Sequence, residues 1–196
     1  MERRFHENAV ECRMPGGLIE AEKAALLLVD MQEKLLPAMA DAEAAIENCT
    51  ILLKAADRLG VPLIVSEQYP KGLGSTVPQL DALIPEEAKS AKTHFSCAAD
   101  PGLSARFDAL DRRQLVIAGI EAHVCVLQTA MALAARGFEV FVVADATTSR
   151  RTENKALALD RMRAAGIQAV ATEMVLFEWM GQAGTPVFKD LSGLIK

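Results

Sequence analysis

In the stretch Gln114-Leu-Val-Ile-Ala-Gly119-Ile-Glu-Ala-His-Val-Cys125, an apolar run stops at a glycine and a cysteine follows six residues later, at the head of a helical pattern. An apolar strand, a tight turn and a helix start would place that thiol on the first helical turn at the edge of a sheet. The unpaired N–H groups and partial positive charge of a helix start favour thiolate over thiol, which makes Cys125 a candidate nucleophile. An ordinary cysteine with a pKa of about 8.5 is only about 3% thiolate at pH 7; a fall of about two units would make it roughly three-quarters thiolate.

The same alternation runs outward in both directions. Ala24-Ala-Leu-Leu-Leu-Val29 is unbroken in its apolarity and stops abruptly at Asp30, as a buried strand does. Helical spacing over residues 42–59 ends at Gly60, and Val61-Pro-Leu-Ile-Val65 reads as a second strand. From Ser66 to Pro85, the breakers Pro70, Gly72, Gly74, Pro78 and Pro85 predict a long loop able to cover a pocket. A short strand over residues 88–92 follows, then a helix from about Pro101 to Leu110, a strand over 115–118, and a helix from about Val124 to Arg136 closed by Gly137. Next come a strand over 138–143, a helix over 152–165 and a last strand over 167–171. Strands alternating with helices predict an α/β fold whose mainly parallel sheet is covered on both faces, because parallel neighbours need helical crossovers.

Composition fits one compact domain. The chain has 196 residues, 51% of them hydrophobic. A polar leader over residues 1–20 precedes a single domain expected to span 21–196. The net charge of −5 and the scattered Lys and Arg give no basic patch for nucleic acid or a membrane surface. Met1-Glu-Arg-Arg-Phe-His6 is too polar for a secretory signal, and no apolar run approaches the ~18 residues of a membrane span, so a cytoplasmic location is expected. Cys12, Cys49, Cys97 and Cys125 contain no C-x-x-C spacing and are expected to be reduced.

In open parallel sheets, ligands bind beyond the carboxyl ends of the strands. Asp30, Lys92 and Cys125 all fall at or just past such ends. Each alone has an ordinary role: an Asp caps a helix, a Lys is a solvated surface charge, and a Cys is a small packing residue. Together they are chemically complementary. A carboxylate can take a thiol proton and later return it to a leaving group, while an ammonium stabilises both anions.

Asp30-Met-Gln32, Lys92-Thr-His-Phe-Ser96 and Gly119-Ile-Glu-Ala-His-Val-Cys125-Val-Leu-Gln-Thr-Ala130 resemble the signature segments of the isochorismatase-like cysteine hydrolases, which include nicotinamidases and N-carbamoylsarcosine amidases. The resemblance runs from about Ala24 to the end and includes Asp145-Ala-Thr-Thr-Ser-Arg150. It implies a three-layer α/β/α, Rossmann-like fold on a mainly parallel six-stranded sheet. It also implies a catalytic triad of Asp30, Lys92 and Cys125 and a cis peptide between Ile120 and Glu121. That bend would aim the main-chain N–H groups of Glu121 and Cys125 as an oxyanion hole. A metal-independent cleavage of a C–N bond in a small amide-like substrate, through a thioester on Cys125, is the expected chemistry.

Departures from the family narrow this expectation. Nicotinamidases carry an Asp and several His after the second strand to hold a metal, whereas Ser66-Glu-Gln-Tyr-Pro-Lys-Gly-Leu-Gly-Ser-Thr76 has no His; no metal or other cofactor is expected. That segment resembles the metal-free, functionally unassigned branch. Siderophore-pathway isochorismatases often lack the nucleophilic cysteine and hydrolyse a vinyl ether, so Cys125 makes that chemistry the lesser alternative. A zinc site on His94, Cys97, His123 and Cys125 is a competing reading, opposed by spacings that match no common zinc hairpin. Gln68, Tyr69, Phe95 and Ile120 are candidate substrate-binding residues, with core packing the competing role for Phe95 and Trp179. The apolar Leu176-Phe-Glu-Trp-Met180 suggests burial between subunits of a homo-oligomer, a dimer or larger. The rival from another class is an oligomeric scaffold of the same fold without significant turnover.

Overall fold

A computed structural model describes residues 17–195. Most of the expected leader, and Cys12, lie outside the described residues. Residues 17–20 are tied to the domain: Ile19 is fully buried, its N–H donates to Glu178 Oε2 at 2.7 Å, and the Glu20 N–H donates to Gln114 Oε1 at 2.8 Å.

Six parallel strands form one sheet in the order β3-β2-β1-β4-β5-β6: β1 (Ala24–Val29), β2 (Leu63–Gln68), β3 (Lys89–Lys92), β4 (Gln114–Gly119), β5 (Glu139–Thr147) and β6 (Gln168–Val170). Side chains alternate across each strand and divide the core in two. Leu26, Leu28, Val116, Ala118, Phe141 and Val143 point to one face. There they pack with α1 (Ala42–Leu59) and the later helices α7 (Thr172–Met180) and α8 (Pro186–Leu191). Ala25, Leu27, Val29, Leu115, Ile117, Val140 and Val142 point to the other, against α4 (Pro101–Asp108), α5 (Leu127–Ala135) and α6 (Thr152–Ala164). The three-layer α/β/α architecture follows from that division.

The direction of winding across the sheet reverses between β1 and β4. The chain first winds outward from β1 through β2 to β3, then returns to β4 on the other side and winds out to β6. A crevice forms at such a switch point beyond the carboxyl ends of the two central strands, where Asp30 leaves β1 and the turn to Cys125 leaves β4. Gly119 makes their close approach feasible. Its φ is +117°, and a Cβ there would sit 2.1 Å from the Val29 carbonyl oxygen.

Boundaries differ from the sequence expectations where local chemistry intervenes. Strand β2 runs from Leu63 to Gln68 and not over 61–65, because the Pro62 carbonyl accepts from Leu26 and pairing with β3 then holds the chain extended to Gln68. The expected loop over 66–85 contains two single helical turns, α2 (Pro70–Leu73) and α3 (Pro78–Asp81), each with Pro at its start, where a missing N–H costs nothing. The helix expected from Val124 begins as a π-helical turn at Ala122–Val126 before α5 takes over at Leu127. Leu176 and Trp179 are buried in the chain's own core, so of the apolar stretch expected at a subunit interface they are already spent; Phe177 and the neighbouring Met174 remain about half exposed.

Candidate active site

At the exit of β1, Asp30 adopts a left-handed conformation, φ +51°, which Asp tolerates better than most residues. Its N–H donates to the Ser66 carbonyl, and its carbonyl accepts from Gln32. Both carboxylate oxygens are engaged: Lys92 Nζ donates to Oδ2 at 2.7 Å and Ser66 Oγ donates to Oδ1 at 2.7 Å. Both side chains of the Lys92–Asp30 pair are essentially inaccessible to water, at 0% and 1% exposure. The Cys125 thiol lies on the turn after β4, close enough to interact electrostatically with the same carboxylate, and is only 7% exposed. Residues from three strand ends therefore lie around one carboxylate.

The electrostatics correct one expectation. Burial, then the negative charge of Asp30, push the Cys125 thiol above its ordinary pKa, against the pull of Lys92. A helix start does not produce a lowered thiol pKa here, because the sulfur sits in an apolar π-helical turn beside a carboxylate. Burial raises the Asp30 carboxyl as well, with Lys92, Ser66 and Cys125 pulling the other way. For Lys92, burial works against the ammonium, but Asp30, Cys97 and Cys125 outweigh it and keep the group protonated. The arrangement is a thiol and a carboxyl group whose proton affinities burial raises together, backed by the Lys92 ammonium. Such a carboxylate is well suited to accept the thiol proton as the sulfur attacks.

Gln68, expected at the substrate, also bonds to Lys92. Its side-chain oxygen accepts from Lys92 Nζ at 2.6 Å and its amide nitrogen donates to the Thr93 carbonyl at 2.9 Å, so the side chain holds the ammonium while keeping one N–H and one lone pair beyond these bonds. Gln32, fully buried, holds the backbone of Gln68 from both sides, accepting its N–H at 2.7 Å and donating to its carbonyl at 3.0 Å, and also donates to Gly74 at 2.6 Å. Glu67 binds the Thr76 N–H and hydroxyl at 2.8 Å each, so the segment after β2 is tied down at both ends.

Ile120 is fully buried and packs in the core face with α1, so its side chain does not line the site; its N–H donates to Val29. Tyr69 and Phe95 follow β2 and β3 and are 54% and 55% exposed, outside the core, with the Tyr69 ring lying over Gly72. Trp179 belongs to the core. The Ile120–Glu121 peptide is cis. Among the described residues, nothing accepts a hydrogen bond from the Glu121 N–H. The Glu121 carboxylate is gripped by Arg150.

Cys97 is fully buried in the same apolar cluster as Cys125, with its N–H donating to Thr129 Oγ1 at 2.9 Å, and it feels the charges of Lys92 and Asp30. His94 turns toward Asp100 at 3.8 Å, while His123 meets Ser149 Oγ at 3.0 Å and Asn154 at 3.4 Å. The histidines and cysteines of the alternative zinc reading thus face different partners, and among the described residues no cluster of His, Cys, Asp and Glu is arranged to hold a metal. A depression of about 460 Å³ lined by Leu18, Lys23, Arg112 and Gln114 lies where the strands begin, at the opposite end of the sheet from this chemistry. Sequence reasoning missed Ser66 and Gln32 as holders of the site. A polar residue ending the apolar run of β2, and a second one two positions beyond Asp30, were the available signals.

Fold and site together define a doubly wound α/β protein that brings a thiol, a carboxylate and an ammonium to its topological switch point. Residues 24–174 match the isochorismatase domain, and the chain belongs to that family. It is 40% identical over 193 residues to isochorismatase domain-containing protein 1 of Salmo salar, covering 98% of this chain and 68% of that protein. Among solved structures, it is similar to the MAR1 ribonuclease of Caenorhabditis elegans, with 36% identity, a TM-score of 0.85, and 91% and 92% of the two chains covered. It is also similar to the YcaC gene product of Escherichia coli, described as an octameric hydrolase of unknown specificity, with 28% identity, a TM-score of 0.87, and 93% and 91% covered.

Proposed function

We propose that the protein is a metal-independent cysteine hydrolase that cleaves a C–N bond of a small amide-like molecule. The observation that carries this reading is the buried Lys92–Asp30 pair, 2.7 Å apart, with the Cys125 thiol facing the same carboxylate. In the reaction the Cys125 sulfur bonds to the carbonyl carbon while its proton passes to Asp30. The carbonyl electron pair moves onto oxygen, where the main-chain N–H groups of Glu121 and Cys125 receive the charge. Collapse of this adduct breaks the C–N bond, and the departing nitrogen takes the proton from Asp30. Water then attacks the thioester, its proton going to Asp30 and back to sulfur, releasing the acid and the free thiol. Lys92 stays charged and stabilises first the carboxylate, then the sulfur anion.

A small substrate fits a nucleophile that is only 7% exposed, and Tyr69 and Phe95 supply apolar surface near the exits of β2 and β3. The octameric state described for the E. coli relative supports a homo-oligomer here too. A ribonuclease reading, suggested by the name of the C. elegans relative, has less behind it: RNA binding draws on phosphate contacts by clustered basic residues, and this chain carries a net charge of −5 with one ammonium at the site. Profiling with electrophilic thiol probes and a library of small amides, on the wild type and Cys125→Ser, tests the proposal. Labelling and hydrolysis that both disappear in Cys125→Ser are expected; hydrolysis that survives the substitution would overturn it.

A further inference from the structure

The segment Asp145-Ala-Thr-Thr-Ser-Arg150 supplies no group to the thiol, carboxylate and ammonium, yet it is bonded to successive residues of the turn that leads to Cys125. The Thr148 N–H donates to Gly119 at 3.4 Å, and the Ala122 N–H donates to Thr148 at 2.9 Å. Ser149 meets His123 at 3.0 Å. Arg150 gives Glu121 three hydrogen bonds: its main-chain N–H to Oε2 at 3.3 Å, Nε to Oε2 at 3.0 Å and Nη2 to Oε1 at 2.9 Å. The Glu121 side chain is 10% exposed while that of Arg150 is 62% exposed, so a carboxylate held largely out of water has its charge partner reaching in from the solvent side.

We propose that Arg150 is a positioning residue of the acyl-transfer site: by gripping the Glu121 carboxylate in a fork, it fixes the Glu121 main-chain N–H that receives the oxyanion. The inference rests on the cysteine-hydrolase reading above and on that N–H having no acceptor among the described residues. A planar guanidinium bound through two nitrogens sets direction as well as distance, and an oxyanion donor works only when it is fixed in advance of the reaction.

Two reactions of the same sulfur separate these effects. With p-nitrophenyl acetate, the Cys125 S–C bond forms, the carbonyl pair moves onto oxygen and returns as p-nitrophenolate leaves, and the thiol proton goes to Asp30. With iodoacetamide, the sulfur displaces iodide at a saturated carbon and no oxyanion forms. In the full chain, Arg150→Met should slow the p-nitrophenolate burst by about ten- to a hundredfold, the usual result of a small misplacement at a reacting centre, with the alkylation rate unchanged. Arg150→Lys keeps the charge but loses the fork and should show most of that loss. Glu121→Gln should also slow the burst, and the double variant Glu121→Gln with Arg150→Met should be no slower than Arg150→Met alone, because the two residues act as a unit. A burst at the wild-type rate in Arg150→Met, or alkylation falling in parallel with acylation, would overturn the positioning role. Wild-type protein that is alkylated but never acylated would instead overturn the cysteine-hydrolase reading, and the inference with it.

Discussion

Asp30 and Cys125 divide one proton between them, and the direction of their shifts decides how the site responds to pH. Burial and the Asp30 charge hold the thiol above its ordinary range, so the reactive thiolate of the free protein keeps growing as pH rises through and beyond that range. Alkylation of Cys125 by iodoacetamide should therefore climb about tenfold per pH unit from pH 7 to 9 with no plateau, since each unit below the pKa cuts the thiolate tenfold. A plateau beginning below pH 8 would contradict the raised thiol. Asp30→Asn removes a charge that opposes the thiolate and leaves Lys92 to favour it. Alkylation at pH 8 should then speed up, while acylation by an amide falls by about 10²–10⁴ for want of a proton donor to the leaving nitrogen. Opposite signs in the two rates are the signature of a residue that moves a proton; a parallel fall in both would assign Asp30 to structure alone.

Gln68 shows what a residue list from sequence omits. Its position in the segment after β2 suggests contact with substrate, but its oxygen is committed to Lys92 at 2.6 Å, and that commitment is set by Gln32 through backbone bonds. Gln68→Met, close in shape but without the acceptor, should weaken the hold on the ammonium by about 1.5 kcal/mol, roughly tenfold, and move the Cys125 alkylation profile to higher pH. An unchanged profile, with only KM for an amide substrate altered, would return Gln68 to substrate binding.

At the scale of elements, β4 and the turn after it explain how much was legible. A parallel sheet covered on both faces follows from apolar runs alternating with helical spacing, whereas the strand order is set by long-range pairing that the sequence pattern does not show, and the exits of β1, β3 and β4 lie where the sequence singles out residues. Local rules fail where long-range pairing decides. β2 outlasts its apolar run because β3 pairs with it as far as Gln68, and α7 and α8 draw their apolar faces into the core with α1, so that Leu176 and Trp179 look like interface residues only in the sequence. The raised thiol was illegible for a related reason: a helix-start argument sees the local backbone, while the sulfur responds to burial and to a carboxylate ninety-five positions away. Gly119 ties these elements together. Gly119→Ala meets the backbone of β1 and takes a φ of +117°, and the summed strain and overpacking should cost about 2–6 kcal/mol. Urea unfolding of the variant checks this; a loss below 1 kcal/mol would mean that β1 and β4 can separate freely at the site.

Met174 and Phe177 are about half exposed and Leu157 is 69% exposed, apolar surface available to a second copy of the chain. Light scattering after size exclusion should give a multiple of the 21.1 kDa chain mass; a single 21.1 kDa species at micromolar concentration would contradict the proposed homo-oligomer. The central claim is that Cys125 carries an acyl group between the breaking of one bond and the arrival of water. Its most direct test is mass spectrometry of intact protein quenched in acid seconds after mixing with p-nitrophenyl acetate, followed by peptide mapping. The account predicts one added acetyl group per chain, located on Cys125, absent in Cys125→Ser and lost on standing at neutral pH as water hydrolyses the thioester. Acetyl groups spread over Cys49, Cys97 and surface lysines, with Cys125 unmodified, would contradict it.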